Sequence, residues 1–287
     1  MNNERQIAIN KLNKKEMPFS VLMSIWKDGN AKYLDQAILS IADQSLQPKE
    51  IILVEDGPLT VDLKQTINRW QAKMSDVLRV VTLSQHSGLG MAMKVGTQHV
   101  TTGWIARMDA DDIAVPDRFA RQINVLMNNP QLAILGGQVD EFTQDIEHIL
   151  RQRQVPTTLA QIKQFNKLRC PFNHPTVMIN KDALLAVGGY QSFGSWEDYY
   201  LWERMLAAGY EVANLDDILV HMRVDKDQYS RRGKVSNVPY IWRLQQYMYH
   251  HNLLSKSEFI WSTLVKFVNA IAPVSWRRKI YQRFLRN

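Results

Sequence analysis

Asp109-Ala110-Asp111-Asp112 places three carboxylates within four residues, where they repel one another unless a cation or hydrogen-bond donors offset their charge. They follow an apolar run, Trp104–Met108, so the crowding falls at the end of a strand. An all-oxygen donor set of this kind suits Mg²⁺ or Mn²⁺. Alternation in an extended chain puts Asp109 and Asp111 on one side, so that one can hold a ribose or a metal-bound water and the other a cation bridging a diphosphate. The competing reading is a helix cap, because Asp favours that position and Asp112 lies close before a helix expected to begin at Pro116.

Two further acidic groups stand beside this one. Glu55-Asp56-Gly57-Pro58 reads equally well as a turn or as part of a ligand site. Trp196-Glu197-Asp198-Tyr199-Tyr200-Leu201-Trp202 opens a helix with two carboxylates among aromatic rings. Such surroundings can hold a sugar and raise a carboxylate pKa for general-base work, although an acidic first turn also favours a helix by itself. His221 ends an apolar run and is a candidate third metal ligand, whereas His174, before Pro175, reads as a packed residue. Gly88-Leu89-Gly90 fits neither a dinucleotide fingerprint nor a P-loop.

The elements that must position these groups alternate. Phe19–Ile25 and Glu50–Val54 are short apolar runs of the kind buried in parallel sheets, and Tyr33, Leu34, Ala37, Ile38 and Ile41 between them have helical spacing. The alternation continues with a strand at 77–83, a helix at 89–100, a strand at 104–108, a helix at 116–128 and a strand at 132–136. Residues 141–167 read as a polar surface connection, followed by a strand at 176–179 and a helix at 196–208. The pattern predicts an α/β fold around a mostly parallel sheet. In such sheets ligands gather at the carboxyl ends of the strands, so Asp56 and the Asp109–Asp112 group should face one crevice.

The 287 residues carry a net charge of +7, unevenly: residues 221–287 hold 13 Lys+Arg against 3 Asp+Glu. A basic tail on an otherwise acidic chain points to an anionic surface. No nucleic-acid motif accompanies it, and the acidic groups would repel nucleic-acid phosphates, which argues against a nucleic-acid partner. The single Cys170 and a polar stretch 1–16 without an apolar leader suggest a cytoplasmic, reducing setting.

Taken in order and spacing, Ser20–Trp26, Ile51–Gly57, the Asp-Ala-Asp-Asp group, Gly188-Gly189-Tyr190 and Glu197-Asp198 resemble bacterial family 2 glycosyltransferases of the GT-A fold, in the exopolysaccharide, capsule and O-antigen branch. The resemblance spans roughly residues 17–235, with a nucleotide-sugar half (17–136) and an acceptor half (137–235). It implies a metal-dependent, inverting hexosyltransferase that uses a UDP-sugar, UDP-galactose or UDP-glucose. The implied acceptor is an undecaprenyl-diphosphate-linked sugar, with lipooligosaccharide or another glycan as the alternative. By position, Ser24 and Asp56 correspond to the nucleotide contacts, Asp109 to the ribose or diphosphate contact, Asp111 to the metal ligand, and Asp198 to the general base supported by Glu197. Arg231 and Arg232 fall where this branch closes its acceptor side, and paired guanidiniums suit a diphosphate of acceptor or donor. Two positions depart from the pattern: Trp26-Lys27 replaces the usual Tyr-Asn, and Lys94 the usual Asn. A nucleotidyltransferase would need a glycine-rich basic loop near the first strand, which Ser20–Lys32 lacks, and an inactive glycan-binding scaffold would leave the motif set without a use.

The last stretch, 236–287, has another character. Phe259, Ile260, Leu264, Phe267, Val268 and Ile271 alternate with Ser262, Lys266 and Asn269, and Trp276-Arg277-Arg278-Lys279 follows. This predicts an amphipathic helix lying on a membrane surface with its apolar face in lipid, and the resemblance implies that this surface is the inner face of the bacterial inner membrane. Pro273 and Lys266 interrupt the ~20 apolar residues a spanning helix requires. Packing of this helix on the catalytic core is the rival expectation.

Overall fold

The computed structural model describes residues 17–224 and 237–271. Arg231 and Arg232, the 1–16 extension and the basic residues beyond 271 lie outside the described residues.

Strands β1 (Phe19–Ile25), β2 (Glu50–Glu55), β3 (Leu78–Thr82) and β4 (Trp104–Arg107) run parallel in the order β3-β2-β1-β4. Their residues alternate between two cores. Val21, Met23, Ile51 and Leu53 pack under helices α1 (Ala31–Ala42), α2 (Val61–Lys73) and α4 (Arg118–Asn128). Leu22, Ile52 and Val54 face α3 (Leu89–His99) and the later helices on the opposite side. Burial on both faces is why these strands read as unbroken apolar runs.

The sheet continues through β8 (Met178–Asn180), antiparallel to β4, then β6 (Leu132–Phe142), β9 (Glu211–Arg223) and the two-residue β5 (Ile113–Ala114), with β7 (Arg151–Arg153) beside β6. β6 runs antiparallel to β8 and parallel to β9. The carboxyl ends of β1, β2, β4, β6 and β9 therefore share one edge, and the acidic groups sit there.

Several sequence expectations are corrected. β6 is eleven residues long, because Val139 and Phe142 extend the buried face past Gly136-Gly137. The expected connection at 141–167 contains β7 and a helix, α5 (Leu159–Phe165), whose start is fixed by a reciprocal Thr158–Gln161 capping box. Pro116 sits in a turn, and α4 begins at Arg118. The strand expected at 176–179 is β8 preceded by a 3₁₀ turn at His174–Thr176.

Beyond β8 come α6 (Lys181–Ala186) and α7 (Glu197–Ala207), and the last described elements are the hairpin α8 (Val238–His250) and α9 (Lys256–Ile271). Trp242 of α8 meets Phe259 and Phe267 of α9, at 5.7 and 6.3 Å between ring centroids. The polar face of α9 is turned inward, against expectation. Its polar residues Ser262 and Lys266 are buried, while Ile260, Trp261, Leu264 and Val268 are exposed. Helix α9 therefore packs on the core through its polar residues and leaves an apolar face exposed. No helix among the described residues is long and apolar enough to cross a membrane.

Candidate active site

One wall of the crevice is built on β1 and β2. Ser24 is half-buried on β1, in register with Val54. Asp56, just past β2, is 4% exposed and accepts hydrogen bonds from Ser87 N (2.7 Å) and Gly88 N (3.0 Å). His86 Nδ1 lies 2.8 Å from the same carboxylate. Asp56 thus shapes the loop that leads into α3. Gly57 makes this close approach possible: its φ is +89° and a Cβ there would fall 2.6 Å from His86 N. The exposed Trp26 stacks on His86, with centroids 4.6 Å apart and planes 24° apart. The Trp26-Lys27 departure therefore supplies a flat aromatic surface beside Asp56. Motif reading did not single out His86, and its only sequence signal is its place before Gly88-Leu89-Gly90, where α3 begins.

Beyond β4, one oxygen each of Asp109, Asp111 and Asp112 lie within 4.8 Å of one another. Asp109 pairs with Arg107, whose guanidinium is 2% exposed. Burial opposes the Arg107 charge, but Asp109 beside it more than compensates and raises its pKa. Asp112 is buried and accepts from Arg223 N at 2.7 Å through one oxygen, while the other has no partner. Asp112 therefore joins the strand ends of β4 and β9, and does not cap α4. Desolvation first, then Asp111, pushes its pKa well up. Asp111 is the exposed member, and its pKa is raised to about 6 by desolvation and by the Asp109 charge. Since its side chain is open to solvent, the geometry supports the repulsion as the firmer cause.

Arg223 binds this wall together and was not anticipated. Besides its bond to Asp112, its guanidinium donates to Asp111 O (3.0 Å), Thr143 O (2.9 Å) and Gln36 Oε1 (2.8 Å), and it lies 3.8 Å from the Tyr33 ring centroid. The candidate ligand His221 is paired in register with Ile113, and its Nδ1 lies 2.7 Å from Asp140 Oδ1. It is not among the three residues whose ligand atoms cluster. A carboxylate on one ring nitrogen leaves Nε2 as the nitrogen available to a ligand.

The opposite wall is the first turn of α7. Glu197 is 7% exposed, with a buried Oε2 that has no hydrogen-bond partner. Desolvation, then the Asp198 charge, raises its pKa to about 7, and Asp109 adds to the rise, so the two walls act on one electrostatic space. Asp198 is half-buried: Oδ1 accepts from Tyr199 N at 2.7 Å, and the Cys170 thiol lies 3.9 Å from Oδ2. Rings surround this turn, with Trp196 stacked on Tyr199 and Phe193 on Tyr200. Gly90 of α3 lets the walls meet, since a Cβ there would fall 2.8 Å from Gln191 O and 3.2 Å from Glu197 Cβ. Gly188-Gly189-Tyr190 is a turn with positive φ at both glycines, fastened by Arg204 donating to Val187 O (2.6 Å) and Gly189 O (2.7 Å).

A curled, mostly parallel sheet with a carboxylate group at its strand ends, facing an acidic helix start, defines the GT-A class of sugar-transferring folds. The chain belongs to glycosyl transferase family 2, whose model matches residues 20–188. It is 33% identical to the amylovoran biosynthesis glycosyltransferase AmsE of Erwinia amylovora, across 92% of this chain and 98% of that protein. It is 31% identical to the UDP-Gal:alpha-D-GlcNAc-diphosphoundecaprenol beta-1,3-galactosyltransferase of Escherichia coli, across 93% of this chain and 96% of that protein. The fold is similar to the mannosyltransferase PcManGT from Pyrobaculum calidifontis, solved with GDP-Man and Mn²⁺, at a TM-score of 0.63 and 17% identity over 95% of this chain and 78% of that one.

Proposed function

We propose that the protein transfers a hexose, galactose or glucose, from a UDP-sugar to an undecaprenyl-diphosphate-linked glycan, with inversion at the anomeric carbon, in surface polysaccharide synthesis. The observation that carries this reading is the pairing of a three-carboxylate group on one wall with Glu197-Asp198 on the other. The Escherichia coli relative, whose name states such a donor and acceptor, supports the choice of substrates.

The donor-side residues fit a divalent cation. Their ligand oxygens are already gathered, and Asp112 keeps a buried oxygen with no partner. Asp109 and Asp111 would hold the ion, His221 is proposed as a further ligand through Nε2 although it lies outside the gathered oxygens, and bound Mn²⁺ or Mg²⁺ would supply Lewis-acid stabilisation of the departing diphosphate. Ser24 and Asp56 line the nucleotide end. Asp198 takes the proton of the attacking acceptor hydroxyl while the bond to UDP breaks, a single displacement with no covalent enzyme intermediate. Glu197, pushed up to about 7, restrains the charge beside that base. Arg231 and Arg232 are assigned to the acceptor-side diphosphate. The exposed Ile260, Trp261, Leu264 and Val268, followed in sequence by five cations and no acid at 272–287, suit a lipid surface carrying the acceptor at the cytoplasmic side of the inner membrane.

The test is a panel of nucleotide sugars, with and without Mn²⁺, followed by nucleoside diphosphate release in the presence of a synthetic diphosphate-lipid sugar. Acceptor-dependent UDP release from one donor is the expected result. No donor binding and no release across the panel would overturn the enzyme assignment, and release indifferent to chelator would overturn the metal.

A further inference from the structure

The proposed reaction leaves unused a buried polar network that joins α9 to α7. Lys266 of α9 is 5% exposed. Its ammonium donates to Lys167 O (2.9 Å) and to Tyr199 Oη (3.3 Å), and lies 5.1 Å from the centroid of the Tyr199 ring. Tyr199 donates its own hydroxyl to Asn166 O. Asn166 Nδ2 reaches both oxygens of Glu203, at 3.1 and 2.9 Å. Lys167 Nζ, 2.6 Å from Glu258 Oε1, closes the network on the first turn of α9.

Helix packing alone does not explain this arrangement. Burial pulls both charged ends toward their neutral forms, Glu203 up to about 8 and Lys266 down to about 7. An apolar contact between α7 and α9 would join the helices without that cost. A polar network instead fixes direction as well as proximity. What it fixes here is Tyr199, whose backbone N–H holds Asp198 Oδ1 at 2.7 Å and whose ring is stacked on Trp196. A shift of Tyr199 moves the Asp198 carboxylate with it.

We propose that Lys266 is a positioning residue for the transfer step: acting through the Tyr199 hydroxyl, it holds the Asp198 carboxylate in line with the acceptor hydroxyl. The inference rests on the reading of Asp198 as the base. It gives α9 two tasks on opposite faces, with Lys266 directed inward to Tyr199 and Ile260, Leu264 and Val268 outward. Small misplacements of a reacting group carry large rate effects, so the contribution should fall on kcat and leave donor binding alone.

The experiment is a double-mutant cycle on the full chain, with kcat, donor KM and melting temperature measured for Lys266→Met, Tyr199→Phe and the pair. The expected result is a fall in kcat of about tenfold or more for each single variant, donor KM within about twofold of the parent, and a double variant no slower than the slower single. A folded Lys266→Met enzyme with parental kcat overturns the proposal. So does a parallel loss of kcat, donor affinity and melting temperature, which marks a general structural role. If Lys266→Met does not fold, Glu203→Gln/Lys266→Met removes both charges and carries the same expectation. Asp198→Asn is run alongside: inactive Asp198→Asn with unaffected Lys266→Met overturns the positioning role alone, whereas active Asp198→Asn overturns the base assignment beneath it.

Discussion

The two acidic walls of the crevice share a residue type and differ in what lies behind them. Asp109, Asp111 and Asp112 are backed by Arg107, buried and paired with Asp109, and by Arg223, whose backbone N–H donates to the Asp112 carboxylate and whose guanidinium donates to the Asp111 main-chain carbonyl. Glu197 and Asp198 are backed by aromatic rings and the Cys170 thiol, and burial outranks every charge in setting the Glu197 pKa. Guanidiniums beside the first wall oppose, without cancelling, the rise that burial and mutual repulsion give Asp111 and Asp112, a crowding that a bound cation would relieve. On the second wall burial, then the Asp198 charge, raises Glu197 to about 7, so that group can exchange a proton near physiological pH. Under the proposed function, the same side-chain type serves as a ligand on one wall and as a proton acceptor on the other.

The largest effect expected from breaking this contrast is at Asp198. Asn keeps the shape and removes the proton acceptor, so transfer should fall by about 10²–10⁴ while UDP binding persists. Steady-state turnover with a diphosphate-lipid acceptor measures it, and near-parental turnover would move the base elsewhere.

Next comes Arg107→Met. Removing the buried partner of Asp109 leaves crowded carboxylates uncompensated, and because Asp109 is partly open to solvent the fold should lose about 1–3 kcal/mol in a urea titration. A loss below about 1 kcal/mol would mean that Arg107 is not the counter-charge of this wall.

A smaller effect concerns pH. Glu197 and Glu203 have folded pKa values of about 7 and about 8, above the ordinary 4.5, so between pH 4.5 and 7 the folded chain binds more protons than the unfolded one. Stability from these groups is therefore present at low pH and lost as pH rises through their folded pKa values. Glu203→Gln should flatten that decline in melting temperature between pH 5 and 8, and an unchanged slope would count against the assignment.

The smallest expected change in stability is at the outer face of α9. Ile260→Glu/Leu264→Glu should move the protein from membrane to soluble fractions with a melting temperature close to the parent's. An unchanged distribution would contradict the lipid-facing assignment. Removing the whole helix is a poorer test, because Ser262 and Lys266 are part of the interior.

The contrast between the walls was only partly legible in the sequence. The alternation of strands and helices was, because buried parallel strands are apolar on both faces and the helices between them keep one apolar stripe. The carboxylates were visible as motifs. Their supports were not: Arg107, Arg118, Arg223 and Lys266 are all buried, and hydropathy assigns such residues to the surface. Arg118, for instance, donates to Arg107 O at 2.7 Å and to Gln122 at 3.1 Å on the inner stripe of α4. Only the partner across the fold reveals why a charge lies inside. Helix α5 was missed for another reason: seven residues give too little periodicity, although Thr158 and Gln161 carry the spacing of a capping box.

The division of labour between the walls is tested most directly by calorimetric titration of UDP with Mn²⁺ into the parent protein, Asp111→Asn and Asp198→Asn. The account predicts metal-dependent binding that is lost in Asp111→Asn and kept in Asp198→Asn. Equal loss in both, or retention in both, would contradict it.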